Sequence, residues 1–463
     1  MIPLPPALLK SLEDVQGFNK EAFEKVHLSG EQVTSIRFNP SKLPASPEAL
    51  TTHHLPLTTS VPWSSHGYYL AARPSFTFDP LLHAGVYYVQ EASSMFVEQA
   101  LRQTADLSQP LRVLDLCAAP GGKSTLLQSL ISKESLLVSN DVIKSRAAIL
   151  EENMIKWGAA NVVVTNNDPA HFARLRNYFD VIMIDAPCSG SGLFRRDPEA
   201  IQEWSENNVA LCSQRQQRII ADVWPALKEQ GIVIYATCSY SAAEDEAILD
   251  WAGTQMQAES LRLSIHKEWN IVEVQSPGKG FYGYRFYPDK IKGEGLFIAA
   301  LQKKDGALFD SVAPGKGGTA RLTKSEEAIA APWLNPDEAL VMFKQMEDVI
   351  ALPASLQKEI PVLQSALYIK KAGVTVGKFA GKDLIPHHQL ALSTIGSKDL
   401  LQIVLNRRQA VQYLRKEDMQ LETSQKGWAL VTCEGHNLGW VKLLPNRCNN
   451  YYPKEWRILK QPV

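Results

Sequence analysis

Two cysteines stand in short polar loops that each follow an apolar run. Cys188 lies in DAPCSGSG, 185–192, after the run at 180–184, and Cys238 lies in YATCSYS, 235–241, after the run that begins at 231. A thiol next to positive charge or helix N-terminal amides loses its proton more easily and then acts as a nucleophile. A third stretch, VLDLCAAPGGKST at 113–125, is of a different kind. Its apolar start, its Ala-Pro-Gly-Gly centre and the helical pattern that follows read as strand, tight loop and helix. Gly121 and Gly122 let a ligand approach the backbone, and the amides of the following helix point at it. Three loops at strand ends, two with a thiol, describe one active site at the carboxyl edge of one sheet.

The glycine loop narrows the choice of ligand. A dinucleotide fold would carry G-x-G-x-x-G after the first strand, and that pattern is absent. Gly122-Lys123-Ser124 matches the end of a phosphate-binding P-loop, but the required first glycine is Cys117. The second strand ends in Asp141, and Asp168 follows a few residues past the third. Taken singly, either aspartate reads as a helix cap or turn residue. Their place at successive strand ends favours a nucleoside: Asp141 accepts from the ribose hydroxyls and Asp168 from the adenine amino group.

The elements that must position these loops alternate. Strand-like runs fall at 111–117, 135–140, 161–165, 180–184, 231–236, 269–274 and 295–301, and helices begin near 123, 144, 207 and 243. This predicts an α/β, doubly wound, mainly parallel sheet. Ahead of it, 1–84 holds proline-rich turns and short β-like runs such as TSIRFNP and YYLAARP. Arg37 and Arg73 in these runs are candidate RNA contacts or ordinary surface arginines. Residues 85–103 read as a strand or turn entering an amphipathic helix. The stretch 305–320 is rich in Gly, Pro and small residues and reads as a linker. One helix pattern stands out near 336–350, and short β-like runs (LLQIVL, GWALVTC, LGWVKLL) follow from 386. The expected organisation is therefore 1–105 as an N-terminal domain, 106–304 as the catalytic domain, a linker at 305–320, a middle domain at 321–385 and a β-rich domain at 386–463.

A chain of 463 residues needs more than one core. No run is long and apolar enough to span a bilayer, and the N-terminus lacks the basic start of a signal peptide. Six scattered cysteines without a CxxC predict neither a disulfide framework nor a zinc site, and they suit a reducing cytoplasm. The net charge is −1, but residues 361–463 carry fifteen Lys/Arg against seven Asp/Glu, which leaves −9 on the rest. A basic tail on an acidic body suits a polyanionic partner or a solvated basic domain.

The three loops together resemble the RNA (cytosine-5) methyltransferases of the Sun/Nop type, over roughly residues 85–300. The C-terminal stretch GWVKLLPNRCNNYYPKEWRI is similar to that of the F group of bacterial small-subunit ribosomal RNA methyltransferases. The resemblance implies a seven-stranded methyltransferase (Rossmann-like) core with one antiparallel strand near the end, a small N-terminal α/β domain and a PUA-like RNA-binding domain. It implies S-adenosylmethionine held by Cys117, Ala118, Ala119, Pro120, Gly121, Gly122, Lys123, Asp141, Asp168 and Asp185, with Arg146 supporting Asp141. The Thr237-Cys238 pair is where the RNA enzymes carry their nucleophile, and Pro187-Cys188 is where DNA cytosine methyltransferases carry theirs. Cys238 is then the nucleophile, Cys188 assists proton removal or product release, and Asp185 contacts the base edge. Gln90 and Ser94 either pack beside the cofactor or cap a helix. Arg195, Arg196 and Asp197 either meet the RNA backbone or form a salt-bridged loop. The expected activity is 5-methylcytosine formation in 16S ribosomal RNA of the small subunit, the alternative being transfer RNA. The expected enzyme is monomeric and cytoplasmic, with no metal and no membrane partner.

Overall fold

The computed structural model describes residues 3–43, 55–304, 320–421 and 423–460. Five parallel strands form its centre: β1 (Arg112–Asp115), β2 (Leu136–Asn140), β3 (Val162–Thr165), β4 (Phe179–Asp185) and β5 (Leu227–Thr237). Their sequences (RVLD, LLVSN, VVVT, FDVIMID and the IVIYAT that ends β5) are almost unbroken apolar runs. Such runs are what a sheet buried on both faces requires, and most of these residues are buried.

Five further strands complete the sheet: β6 (Ala258–Leu261), β7 (Val272–Gln275), β8 (Tyr282–Phe286), β9 (Leu296–Lys303) and β10 (Ile369–Ala372). The order is β7-β8-β9-β5-β4-β1-β2-β3-β10, with β6 beside β9. Without β6, β7 and β10 this is the seven-stranded doubly wound sheet, with β9 antiparallel to β5 as expected. The order reverses between β1 and β4, and there the carboxyl ends of the strands open a crevice. Helix α1 (Gly122–Leu130) follows β1, α2 (Lys144–Trp157) follows β2, and α3 (Glu206–Val223) precedes β5. Gly121 enters α1 at φ +117°, and α2 ends at Gly158, φ +90°; both are left-handed conformations that suit glycine.

Three sequence expectations are corrected. The run at 269–274 ends in the outer strand β7, whereas the strand beside β9 is β8, in the aromatic stretch YGYRF. Its period is masked by Gly283 and by burial of four of its five residues. The helix pattern near 336–350 is a β-hairpin of Leu340–Gln345 and Asp348–Pro353. Met346 at the turn has φ +56°, and eight apolar residues in two blocks satisfy either period. Arg37 is neither an RNA contact nor a surface arginine: it is 1% exposed and lies over the Trp157 ring.

The peripheral segments do not keep separate cores. Strand β10 pairs antiparallel with β3, and Ile350, Leu352 and Leu363 share a core with Leu114 and Ile182. Ile36, Phe38 and Leu81 from the N-terminal part pack with Tyr413, Val431 and Val441 from the C-terminal part. The C-terminal strands Gln402–Val404, Gly427–Cys433, His436–Leu444 and Arg447–Asn450 form one sheet. Short helices at His388–Leu392 and Arg407–Leu414 accompany it. The expected linker lies outside the described residues except for Ala320, which opens a short strand, Ala320–Arg321.

Candidate active site

Strands β4 and β5 are neighbours, and Asp185 is in register with Ala236. The loops that leave them therefore start side by side, and this brings Cys188 and Cys238 together across 50 residues of sequence. Their sulfurs are 2.8 Å apart, within hydrogen-bonding reach. That hydrogen bond, followed by burial and the nearby charges of Cys238 and Glu244, pushes the Cys188 thiol well up. Cys188 thus keeps its proton and can donate it to the Cys238 sulfur.

The loop after β1 supplies the opposite wall. Lys123, in the first turn of α1, donates to Asp185 Oδ2 at 2.8 Å. Burial alone would lower its pKa, but the charge and hydrogen bond of Asp185, with Asp115 adding, together outweigh burial and leave the ammonium raised. A cavity of about 380 Å³ is lined by Cys117–Pro120, Lys123, Asp185 and Cys238, and by Gln90, Ser94 and Glu294 from neighbouring segments. Cys117 is pushed up by burial first and then by Asp115, and this makes it an inert wall residue.

Asp141 and Asp168 are not walls of this cavity. They stand at the end of β2 and just past β3, the next positions along the same edge. Each gives one oxygen to a local turn: Asp141 Oδ1 accepts from Ile143 N at 2.9 Å, and Asp168 Oδ1 accepts from Ala170 N at 3.0 Å. Asp141 is 3% exposed, with Arg146 at 3.5 Å from Oδ2. Arg146 also donates to Ala119 O at 2.7 Å and so ties the glycine loop to α2. A nucleoside-bearing sulfonium fits these residues. The glycine loop leaves little more than backbone: a Cβ on Gly122 would stand 3.3 Å from the Tyr88 ring. Carboxylates end the adjoining strands, and the thiols lie one strand further on.

Other assignments resolve as follows. Gln90 accepts from Arg37 Nε at 2.8 Å and donates to Ser94 Oγ at 3.2 Å while both line the cavity, so they join the N-terminal sheet to the site. Arg37 continues the chain to Thr125 Oγ1 on α1 at 2.7 Å. Arg195 is structural, donating to Gly293 O and Glu31 O beside Glu294. Arg196 is exposed at the cavity mouth. Two residues were not foreseen. Glu294, from Gly-Glu-Gly before β9, has its carboxyl pushed up to about 7 by burial despite Arg195. Glu244, in the acidic run Glu244-Asp245-Glu246, is fully buried beneath both cysteine loops. Three carboxylates directly after a nucleophile loop were the available signal. Among the described residues no disulfide and no cluster of metal-binding side chains is present, and no helix is long and apolar enough to cross a membrane.

A doubly wound sheet with a glycine loop, carboxylates at successive strand ends and paired thiols on one edge belongs to an S-adenosylmethionine-dependent RNA methyltransferase. Comparison with known proteins refines that class. The family model of the 16S rRNA methyltransferase RsmB/F matches residues 103–302. The model of the N-terminal domain of RsmF matches 4–92, and that of the RsmF PUA domain matches 401–458. Together the three models match residues 4–92, 103–302 and 401–458 of the chain. The chain is 28% identical over 411 residues to the ribosomal RNA small subunit methyltransferase F of Shewanella loihica, covering 85% of this chain and 83% of that one. It is also 28% identical over 442 residues to that of Salmonella arizonae, covering 91% and 89%. A methyltransferase homolog of Pyrococcus horikoshii superposes with TM-score 0.52 at 26% identity, over 65% of this chain and all (100%) of that one. NSun6 from the same organism, solved with SFG, shares the fold with TM-score 0.54 at 19% identity, over 65% of this chain and 99% of that one.

Proposed function

We propose that this enzyme methylates C5 of a cytidine in 16S ribosomal RNA of the small subunit through a covalent adduct on Cys238. The observation that carries the reading is the 2.8 Å pair of sulfurs on adjacent strand ends, one of them in the wall of the cavity beside the Lys123–Asp185 pair. Cytosine C5 is a weak nucleophile. Addition of the Cys238 thiolate to C6 places an electron pair on the N3–C4–C5 system and makes C5 enamine-like. Asp185 faces the cavity, where its carboxylate can accept from the amino group of the base and from N3–H once N3 is protonated, while the Lys123 ammonium beside it offsets the charge that develops on the ring. When bound, S-adenosylmethionine supplies an electrophilic methyl group for C5 to take up.

The last step removes the C5 proton, and the C–S bond electrons return to sulfur. Cys188 suits this role because of when its acidity changes. Its thiol is held up first by the hydrogen bond to Cys238 and further by that neighbour's charge. Both influences end once Cys238 is bonded to carbon. Cys188 then ionises more easily and releases its proton to solvent; its thiolate takes the C5 proton, and the C–S electrons leave with Cys238 as thiolate. The target base must leave its stack to reach the cavity, which is cheapest in looped RNA. We assign RNA holding to the PUA-like segment and to Arg196 at the cavity mouth. The six free thiols suit a reducing, cytoplasmic setting.

The test is methylation of 16S transcript, isolated small subunits and transfer RNA with labelled S-adenosylmethionine, followed by mapping of 5-methylcytosine. Label at one cytidine of 16S RNA or the subunit is expected. Label confined to transfer RNA, or at a ring nitrogen, would overturn the assignment.

A further inference from the structure

We propose that Glu244 is a positioning residue for methyl transfer, a single buried carboxylate that ties the Cys188 loop to the Cys238 loop. The inference rests on the roles assigned above to the two cysteines.

Glu244 is fully buried, and among the described residues it has no salt-bridge partner. A buried carboxylate is costly unless hydrogen bonds replace its water. Four do. Ser189, which follows Cys188, donates its backbone N at 2.8 Å and its Oγ at 2.5 Å. Ser239, which follows Cys238, donates Oγ at 2.7 Å. Gln216 on α3 donates Nε2 at 3.1 Å, and the same nitrogen reaches Pro187 O, just before Cys188, at 3.0 Å. Three of the four donated hydrogen bonds thus come from the immediate neighbours of the two thiols. Its own backbone is also held, since Tyr235 on β5 donates Oη to Glu244 O at 2.7 Å.

The next two carboxylates do different work. Asp245 accepts from Thr237 Oγ1 at 2.7 Å, and Glu246 takes Arg285 Nε at 2.7 Å while Arg285 also donates to Tyr240 O. These two hold only the Cys238 side. Of the three carboxylates Glu244 alone spans both loops, which Gly192 N to Cys238 O at 2.8 Å and Tyr240 N to Ser191 Oγ at 2.9 Å join further along. The sulfurs are 2.8 Å apart, and a loop shift of an ångström would misalign them for the proton exchange and misplace Cys238 against the base. Misplacement of that size costs about a hundredfold in rate.

The test compares Glu244→Ala, Glu244→Gln and Cys238→Ala in the full-length enzyme. Single-turnover methyl transfer, KM for RNA and cofactor Kd are measured, and folding is followed by circular dichroism. Glu244→Ala should lower the transfer rate about a hundredfold while cofactor Kd changes less than about twofold. Glu244→Gln keeps one acceptor oxygen, for Ser189 N and Gln216 Nε2, and its amide NH2 can donate to the Ser189 and Ser239 hydroxyls once they rotate, so it should recover most of the rate. A folded Glu244→Ala enzyme with wild-type rate, or a Gln variant no better than Ala, would overturn the proposal. If Ala does not fold, Ser189→Ala and Ser239→Ala each cut one side, and wild-type rates in both would overturn it equally. Activity in Cys238→Ala would instead remove the cysteine roles themselves, so the two failures are distinguishable.

Discussion

The sulfur of Cys188 lies 2.8 Å from that of Cys238, and the two residues follow neighbouring parallel strands in which Asp185, the last residue of β4, is in register with Ala236 of β5. In the proposed mechanism Cys238 attacks and Cys188 later takes the C5 proton. That division gives each residue its own phenotype on substitution.

Cys238→Ala should abolish methyl transfer and leave cofactor binding intact. Labelled methyl incorporation and calorimetric titration with S-adenosylmethionine check both halves. Full activity in a folded variant would sink the nucleophile assignment.

Cys188→Ala should differ in kind. Adduct formation on Cys238 survives, but proton removal and release fail, so a covalent protein–RNA species accumulates. A denaturing gel after incubation with RNA and cofactor reads this directly. If Cys188 proves to be the residue crosslinked by a trapping base analogue, the two roles are reversed.

Asp141→Ala should weaken cofactor binding more than it slows chemistry at saturating cofactor. A buried charge-assisted hydrogen bond contributes about 1.5–3 kcal/mol, roughly ten- to hundredfold in affinity. An unchanged cofactor dissociation constant would remove Asp141 from the site.

Arg447, Lys454 and Arg457 are exposed, whereas Trp440 and Tyr452 are core residues. Neutralising the three cations should weaken RNA binding and flatten its salt dependence by about one logarithmic unit per lost phosphate contact. Transfer at saturating RNA should change little. Binding measured across a salt series decides this, and an unaltered slope and affinity would make this face merely solvated.

Asp115 provides a pH signature. It is fully buried, and burial raises its carboxyl to about 7, with Ser124 opposing and Asp185 adding to the rise. A raised folded pKa favours the protonated form. The stability this contributes is complete below about pH 4 and is lost as pH rises through about 7. Asp115→Asn cannot ionise, so apart from a pH-independent offset it should gain on the wild type between pH 4 and 8. The gain should be on the order of 2–4 kcal/mol. Urea midpoints at a series of pH values measure it, and parallel curves for the two proteins would refute it.

Much of this enzyme was legible in one dimension because its chemistry is carried by short loops with narrow requirements. A glycine pair before a helix, a carboxylate after the next strand and two thiols after the fourth and fifth strands each have local causes. Unbroken apolar runs mark strands buried on both faces, so the parallel core could also be read. Where burial is one-sided or glycine interrupts the period, reading failed: β8 was missed, and the hairpin at 340–353 was read as a helix.

The sequence alone determined the inventory: which residues can attack, which can hold a nucleoside, and on which strand ends they stand. Only the tertiary structure decided how they are held. Arg37 became an interior strut because a distant helix supplied Thr125 and Trp157. The 321–385 segment lost its independence because β10 found the free edge of β3. Glu244 became a clamp because its three donor residues, 28–55 positions away for Ser189 and Gln216, converge on one buried carboxylate. Buried polar groups must find partners wherever the fold supplies them, and that obligation is met in three dimensions, not along the chain.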